Sequence, residues 1–143
     1  MTDVFSAEKR SAVMRAVRGK DTSPELVVRS ELHRRGFRFR LHRKDLPGRP
    51  DLVFASRRKV VFVHGCFWHR HSCPDGRSTP ATRTDFWQAK FDRNQRRDRM
   101  VRVSLRKAGW QVLVVWECQL RAKRLAFTLA RIERFLKPQS PRA

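Results

Sequence analysis

The chain has 143 residues, and its 40% hydrophobic content with ten Phe and four Trp excludes a disordered polymer and allows one domain with a substantial core. Lys and Arg number 34 against 13 Asp and Glu, a formal net charge of +21, and a surplus of that size points to a polyanionic partner, nucleic acid first of all. The first twenty residues lack the apolar core of a signal peptide, the longest apolar runs are strand-length, and three cysteines cannot pair evenly. The expectation is a single cytoplasmic domain over residues 1–143 with reduced thiols and no membrane association.

In chain order, residues 6–17 can form a short basic helix carrying Val13 and Met14, followed by a break at residues 19–23. Thr22 or Ser23 can cap a second helix, with Pro24 in its first turn, Gly36 after its end, and Glu25, Val28 and Leu32 spaced along the face that docks on a core. Residues 37–42 alternate apolar and polar, as a half-buried strand does. After a Leu-Pro-Gly-Arg-Pro loop, residues 51–55 read as a strand that opens on Asp51, and a basic turn over 56–58 predicts a hairpin to 59–63. That third run is apolar on both faces, as a covered central strand requires. Residues 75–82 read as a loop. Thr84 is the expected cap of a helix over 85–108 with a possible break near residues 92–94 and an apolar stripe at Val101, Leu105 and Ala108. A buried strand over 110–116 and a helix over 123–136 with Leu125, Leu129, Ile132 and Leu136 at helical spacing complete the pattern, and residues 138–143 read as a frayed tail. The fold class is α/β, one mixed central sheet flanked by helices.

The segment from His64 to Cys73 concentrates the chemistry, holding two of the three cysteines and three of the five histidines. Cys66, Cys73 and Cys118 with His71 make a Cys3His set suited to structural zinc, and His69 could replace His71 as the imidazole ligand. The alternative is that the cysteines are small buried apolar residues. A hairpin brings Asp51 near the His64 end of the next strand, and Glu25 can complete an acidic pocket fit for magnesium, with a main-chain carbonyl as a further oxygen donor. Asp51 and Glu25 could instead be ordinary surface carboxylates or caps. If His71 takes the zinc, His69 is left as a candidate general base. Phe67 and Trp68 are either core or a surface that stacks on bases.

Taken together, His64-Gly65-Cys66-Phe67-Trp68-His69 with His71 and Cys73, Pro80 to Thr84, Phe86-Trp87, Gly109-Trp110, Trp116-Glu117-Cys118, Leu46 to Asp51 and Met14 to Val17 closely resemble the very short patch repair (Vsr) endonucleases, from about residue 10 to residue 136. The resemblance implies a restriction-endonuclease-like fold of the PD-(D/E)XK superfamily with a structural zinc. It implies an enzyme that nicks one strand of double-stranded DNA at T:G mismatches left by deamination of 5-methylcytosine, with a functional link to a DNA cytosine methyltransferase and mismatch-repair proteins. The expected form is a monomer. On this pattern Asp51 and the Val63 carbonyl would hold magnesium, His69 would activate water, and His64 and Glu25 would support the metal-bound water and the phosphate. Cys66, His71, Cys73 and Cys118 would hold zinc, while Met14, Phe67 and Trp68 would enter the duplex, with residues 1–20 contacting DNA. Val63 stands where well-known relatives carry Thr, which leaves a carbonyl ligand possible. Phe62 and His64 replace the usual Glu-X-Lys of restriction enzymes, itself a Vsr trait. The rival readings are a restriction-type endonuclease acting on matched duplex and a non-catalytic zinc-dependent nucleic-acid-binding module.

Overall fold

A computed structural model describes residues 23–137. The expected first helix with Met14, and the expected tail, lie outside the described residues. Helix α1 (Ser23–Arg34) carries Pro24 in its first turn and buries Glu25, Val28 and Leu32 as its periodicity predicts. It closes in a Schellman-type turn in which Gly36, at φ +92°, donates to the His33 carbonyl at 3.0 Å and Phe37 donates to that of Leu32 at 3.0 Å.

Strand β1 is only Arg40–Leu41, shorter than the six-residue alternation predicts. Its partner, β2 (Leu52–Phe54), has three residues, and pairing is limited to Arg40 with Val53 and Leu41 with Leu52 before His42 turns left-handed at φ 49°. Phe37 and Phe39 keep their apolar role without strand pairing, packing against the Phe54 ring at 6.5 and 5.6 Å between centroids. A short 3-10 turn (Ala55–Arg57), with Arg58 left-handed, closes the expected hairpin onto β3 (Lys59–His64). Two single-turn helices follow, α2 (Cys66–His69) and α3 (Pro74–Arg77), the latter in place of the expected loop. Helix α4 (Thr84–Lys107) runs unbroken for 24 residues, so no break occurs near Asp92. Thr84 is its first helical residue rather than its cap, since Arg83 precedes it in a left-handed conformation and no side chain caps the end. Strand β4 (Gln111–Trp116), a 3-10 turn (Glu117–Leu120) and α5 (Ala122–Leu136) complete the described chain.

The sheet order is β1-β2-β3-β4. β2 and β3 are antiparallel, whereas β3 and β4 are parallel in a register running from Lys59 opposite Gln111 to His64 opposite Trp116. The mixed sheet flanked by helices is therefore as expected. One face buries Leu52, Phe54, Val61 and Val115 under α1 and α5, through Val28, Leu32, Leu129, Ile132 and Leu136. The other face buries Val53, Val60 and Phe62 under α4 and its exit, through Leu105 and Trp110. Val101 and Leu105 lie on the α4 stripe as expected, while Ala108, beyond the helix end, is exposed.

Two ties set the outer parts against this core. Lys59 and Arg57 donate to the carbonyls of Phe135 and Leu136 at 2.6 and 2.8 Å, satisfying acceptors that the end of α5 would otherwise leave open. Gly48, at φ +72°, lies so close to α4 that a Cβ there would stand 2.5 Å from the Val101 side chain. That contact seats the loop leading into Asp51. Among the described residues no helix is long and apolar enough to cross a membrane.

Candidate active site and metal centres

The parallel pairing of β3 and β4 dictates the first cluster. Trp116 lies opposite His64, so the chain leaving each strand reaches the same end of the sheet two residues later, as Cys66 and Cys118. The Cys118 N–H points at Cys66 Sγ at 3.4 Å, and His71 Nδ1 lies 3.5 Å from Cys118 Sγ and 3.8 Å from Cys66 Sγ. A left-handed Arg70 lets the chain double back so that His71 donates its N–H to the Cys66 carbonyl at 3.1 Å. With Cys73, one ligand atom from each of the four residues falls within 4.8 Å of the others. The cysteines are free thiols. Burial, with the neighbouring thiols adding, pushes Cys66 up to about 12. At Cys73 burial works upward too, but hydrogen bonds from the Gly76 N–H, His71 and the other two cysteines outweigh it and hold the thiol at about 7. Three crowded sulfurs and an imidazole are a set that a soft divalent cation would relieve, which fits zinc. His71, stacked on Trp116 at 4.4 Å, belongs to the set, and His69 points elsewhere. Gly76 packs directly on the His71 main chain, in space that any Cβ would overlap.

The second cluster is acidic. Asp51 immediately precedes β2, and its Oδ2 accepts the Val63 N–H at 2.6 Å, so the hairpin brings it to the His64 end of β3 as the spacing predicts, though not beside the His64 ring. Glu25 is fully buried at the head of α1 and faces the same pocket. The imidazole that joins them is His42, whose Nε2 is 2.8 Å from Glu25 Oε1 and 3.7 Å from Asp51 Oδ1. Burial first, and then the Glu25 carboxyl beside it, pushes Asp51 up to about 8. Two buried carboxylates of which one keeps its proton are hard oxygen donors short of a cation, and that donor set fits magnesium.

The third cluster contains His64, His69 and Asp98. The two imidazoles stack at 3.8 Å and 6°. His69 Nδ1 donates to Asp98 Oδ2 at 2.6 Å; a carboxylate only accepts, so the proton sits on Nδ1 and the Nε2 lone pair is left for chemistry. His64 is held far below the ordinary histidine range, to about 3, by burial and by the adjacent His69. It is neutral, and its buried Nδ1 has no hydrogen-bond partner among the described residues. His64 thus joins His69 and Asp98, whereas the imidazole reaching Asp51 is that of His42.

Helix α4 supplies one continuous face to this site. Trp87, Phe91, Asn94 and Asp98 recur at helical spacing, and Asn94 donates to the Trp68 carbonyl at 3.4 Å. Phe67 packs against Trp68, Trp87 and Phe91 at 5.0, 5.9 and 5.2 Å between centroids. Phe67, Trp68 and Trp87 are half-buried rather than free-standing, with one side packed on Phe91 and α4. Lys90 lies 5.0 Å over Trp68 and Arg70 4.1 Å over Phe91, so the aromatic surface is ringed by cations. A shallow groove alongside carries Arg93, Arg96 and Arg97. His42, Trp87 and Asp98 are site residues that the sequence reading does not single out for chemistry.

The family model for the DNA mismatch endonuclease Vsr matches residues 2–75. The chain belongs to the Vsr family. It is 51% identical over 138 residues to the type II nicking enzyme V.XorIIP of Xanthomonas oryzae pv. oryzae, spanning 96% of this chain and 99% of that one. It is 46% identical over 123 residues to the type II nicking enzyme V.NmeAIP of Neisseria meningitidis, covering 86% and 87% of the two chains. It is equally 46% identical over 123 residues to the DNA mismatch endonuclease Vsr of Escherichia coli K12, covering 86% and 78%. As a Vsr-family chain it is a strand-nicking DNA endonuclease.

Proposed function

We propose that this enzyme nicks one strand of duplex DNA at T:G mismatches produced by deamination of 5-methylcytosine, working with a DNA cytosine methyltransferase and mismatch-repair proteins. The observation that carries the reading is the meeting of three groups at the end of β3: the paired carboxylates of Glu25 and Asp51, the His69–Asp98 pair 2.6 Å long, and a neutral His64 whose Nδ1 has no partner among the described residues. Asp51, with the Val63 carbonyl, would hold magnesium, which when bound polarises the phosphate and acidifies water. Asp98 fixes the His69 tautomer so that Nε2 can take the proton of the attacking water. His64 offers its open nitrogen to a phosphate oxygen or to that water, and Glu25 orients the water on the other side. Cys66, His71, Cys73 and Cys118 would hold zinc and with it the turn that carries His69.

Phe67 and Trp68, with Met14 from the N-terminal segment, would enter the duplex beside the mismatch, where stacking is already weakened. Arg93, Arg96 and Arg97 supply phosphate contacts that position the duplex without reading its sequence. On this reading the sheet belongs to the restriction-endonuclease-like architecture. A second reading has one ground: two of the relatives are named type II nicking enzymes, without reference to a mismatch. Labelled duplexes with and without a single T:G pair decide between the two. The proposal expects magnesium-dependent nicking confined to the mismatched thymine strand. Nicking of matched duplex at an equal rate would remove the mismatch specificity.

A further inference from the structure

We infer that His42 is a third protein ligand of the catalytic cation, a nitrogen donor that makes this site favour manganese over magnesium. The inference rests on the proposed reading of Asp51 as a metal ligand. Three observations lead to it. His42, Glu25 and Asp51 each place a donor atom within 4.8 Å of the other two. His42 Nε2 stands 3.7 Å from Asp51 Oδ1, within an ångström of the ~3 Å that separates neighbouring donors of an octahedral ion with ~2.1 Å bonds, and it is held there by a 2.8 Å hydrogen bond to Glu25 Oε1. Asp51 Oδ2 is already taken by the Val63 N–H, so the oxygen left for a cation is the Oδ1 that faces His42.

The imidazole is held in place by more than its hydrogen bond to Glu25. His42 occupies a left-handed conformation at φ 49°, its N–H donates to the Pro50 carbonyl at 3.1 Å, and its side chain is only 15% exposed. Glu25 also has a cation of its own in Arg29, at 3.3 Å, so charge neutralisation alone does not require a histidine there. In this structure the Nε2–H of His42 faces Glu25 Oε1; a cation seated between the carboxylates would take the place of that proton, with the imidazole proton then on Nδ1. Carboxylate and carbonyl oxygens suit magnesium, whereas an added imidazole nitrogen raises affinity for first-row transition ions over it.

The test uses the full chain with zinc in the cysteine site and one equivalent of manganese(II) added. Electron spin-echo envelope modulation of the wild-type protein is expected to show coupling to a directly bound nitrogen-14, and His42→Gln is expected to abolish it. Calorimetry is expected to show manganese affinity falling by about tenfold or more in His42→Gln. Magnesium affinity should stay within about threefold, since oxygen is the donor that magnesium selects. Bound manganese without nitrogen coupling in the wild type, or coupling that survives His42→Gln and vanishes in His69→Gln, would overturn the inference. Manganese binding that survives Asp51→Asn instead removes the metal site itself, a separate failure.

Discussion

The thiol cluster and the carboxylate cluster sit at the same end of the sheet, and in each of them burial, with a like donor alongside, makes one group hold its proton abnormally tightly. Cys66 is pushed up to about 12 in one and Asp51 up to about 8 in the other. They differ in what stands behind them. The acidic pocket is built on α1, β2 and β3 and backed by Val28, Leu32, Leu52 and Val61, so its geometry survives without a cation. The thiol cluster hangs on α2 and α3, four residues each, far too short to hold their shape unaided. On the proposed reading one cluster would be scaffold that needs its metal, and the other chemistry laid on a scaffold that does not.

Four experiments put that contrast at risk. Cys118→Ser should lose the metal and lower the melting temperature by about 10 °C or more, roughly 3 kcal/mol, with loss of nicking. Metal analysis and thermal unfolding check it, and an unchanged melting temperature would erase the contrast. Asp51→Asn should do the opposite, with nicking down by about a thousandfold or more while melting temperature and zinc content hold. The acidic pocket also has a defined pH signature. The Asp51 carboxyl is raised above its unfolded value, so its contribution to stability is present below about pH 4 and lost as pH rises through about 8 in the metal-free protein. A cation must displace that proton, so magnesium affinity should climb as pH rises toward 8 and level off above it, a dependence that Asp51→Asn removes. At the imidazole pair the effects are smaller and fall on rate alone. His69→Ala should slow nicking by about 10²–10³-fold with DNA binding intact, and Asp98→Asn by roughly tenfold or more. Single-turnover rates separate both from binding defects.

Much of this architecture is legible in the amino-acid sequence. The period-two and period-3.6 patterns place the strands and helices, and the buried series Glu25, Val28, Leu32 follows from spacing alone. The four thiol-cluster residues stand out because their donor types are scarce and soft. Asp98 does not, for a physical reason. It continues the Val101–Leu105 stripe of α4 upward through Asn94, Phe91 and Trp87, but where that face meets the site it turns polar. Hydrophobic periodicity then resembles an interruption, which is why the pattern predicts a break in a helix that has none. His42 is hidden differently: it reads as the polar position of an alternating strand, and only the left-handed turn after a two-residue β1 swings it inward. The depth of Phe67 and Trp68 depends on Phe91, a partner 24 positions away from Phe67 that composition cannot supply.

The contact between Cys66 and Cys118 spans 52 positions of chain. Closing a loop of that length is a late event in folding, because its entropy must be met before the contact gives anything back. If zinc holds the turn that carries His69, the proposed general base reaches its place only after β3 and β4 have aligned and the loop has closed. A half-made or zinc-starved chain would already possess Asp51 and Glu25, yet could not cut. For an enzyme that nicks DNA, that order of assembly would withhold cutting until the fold is complete.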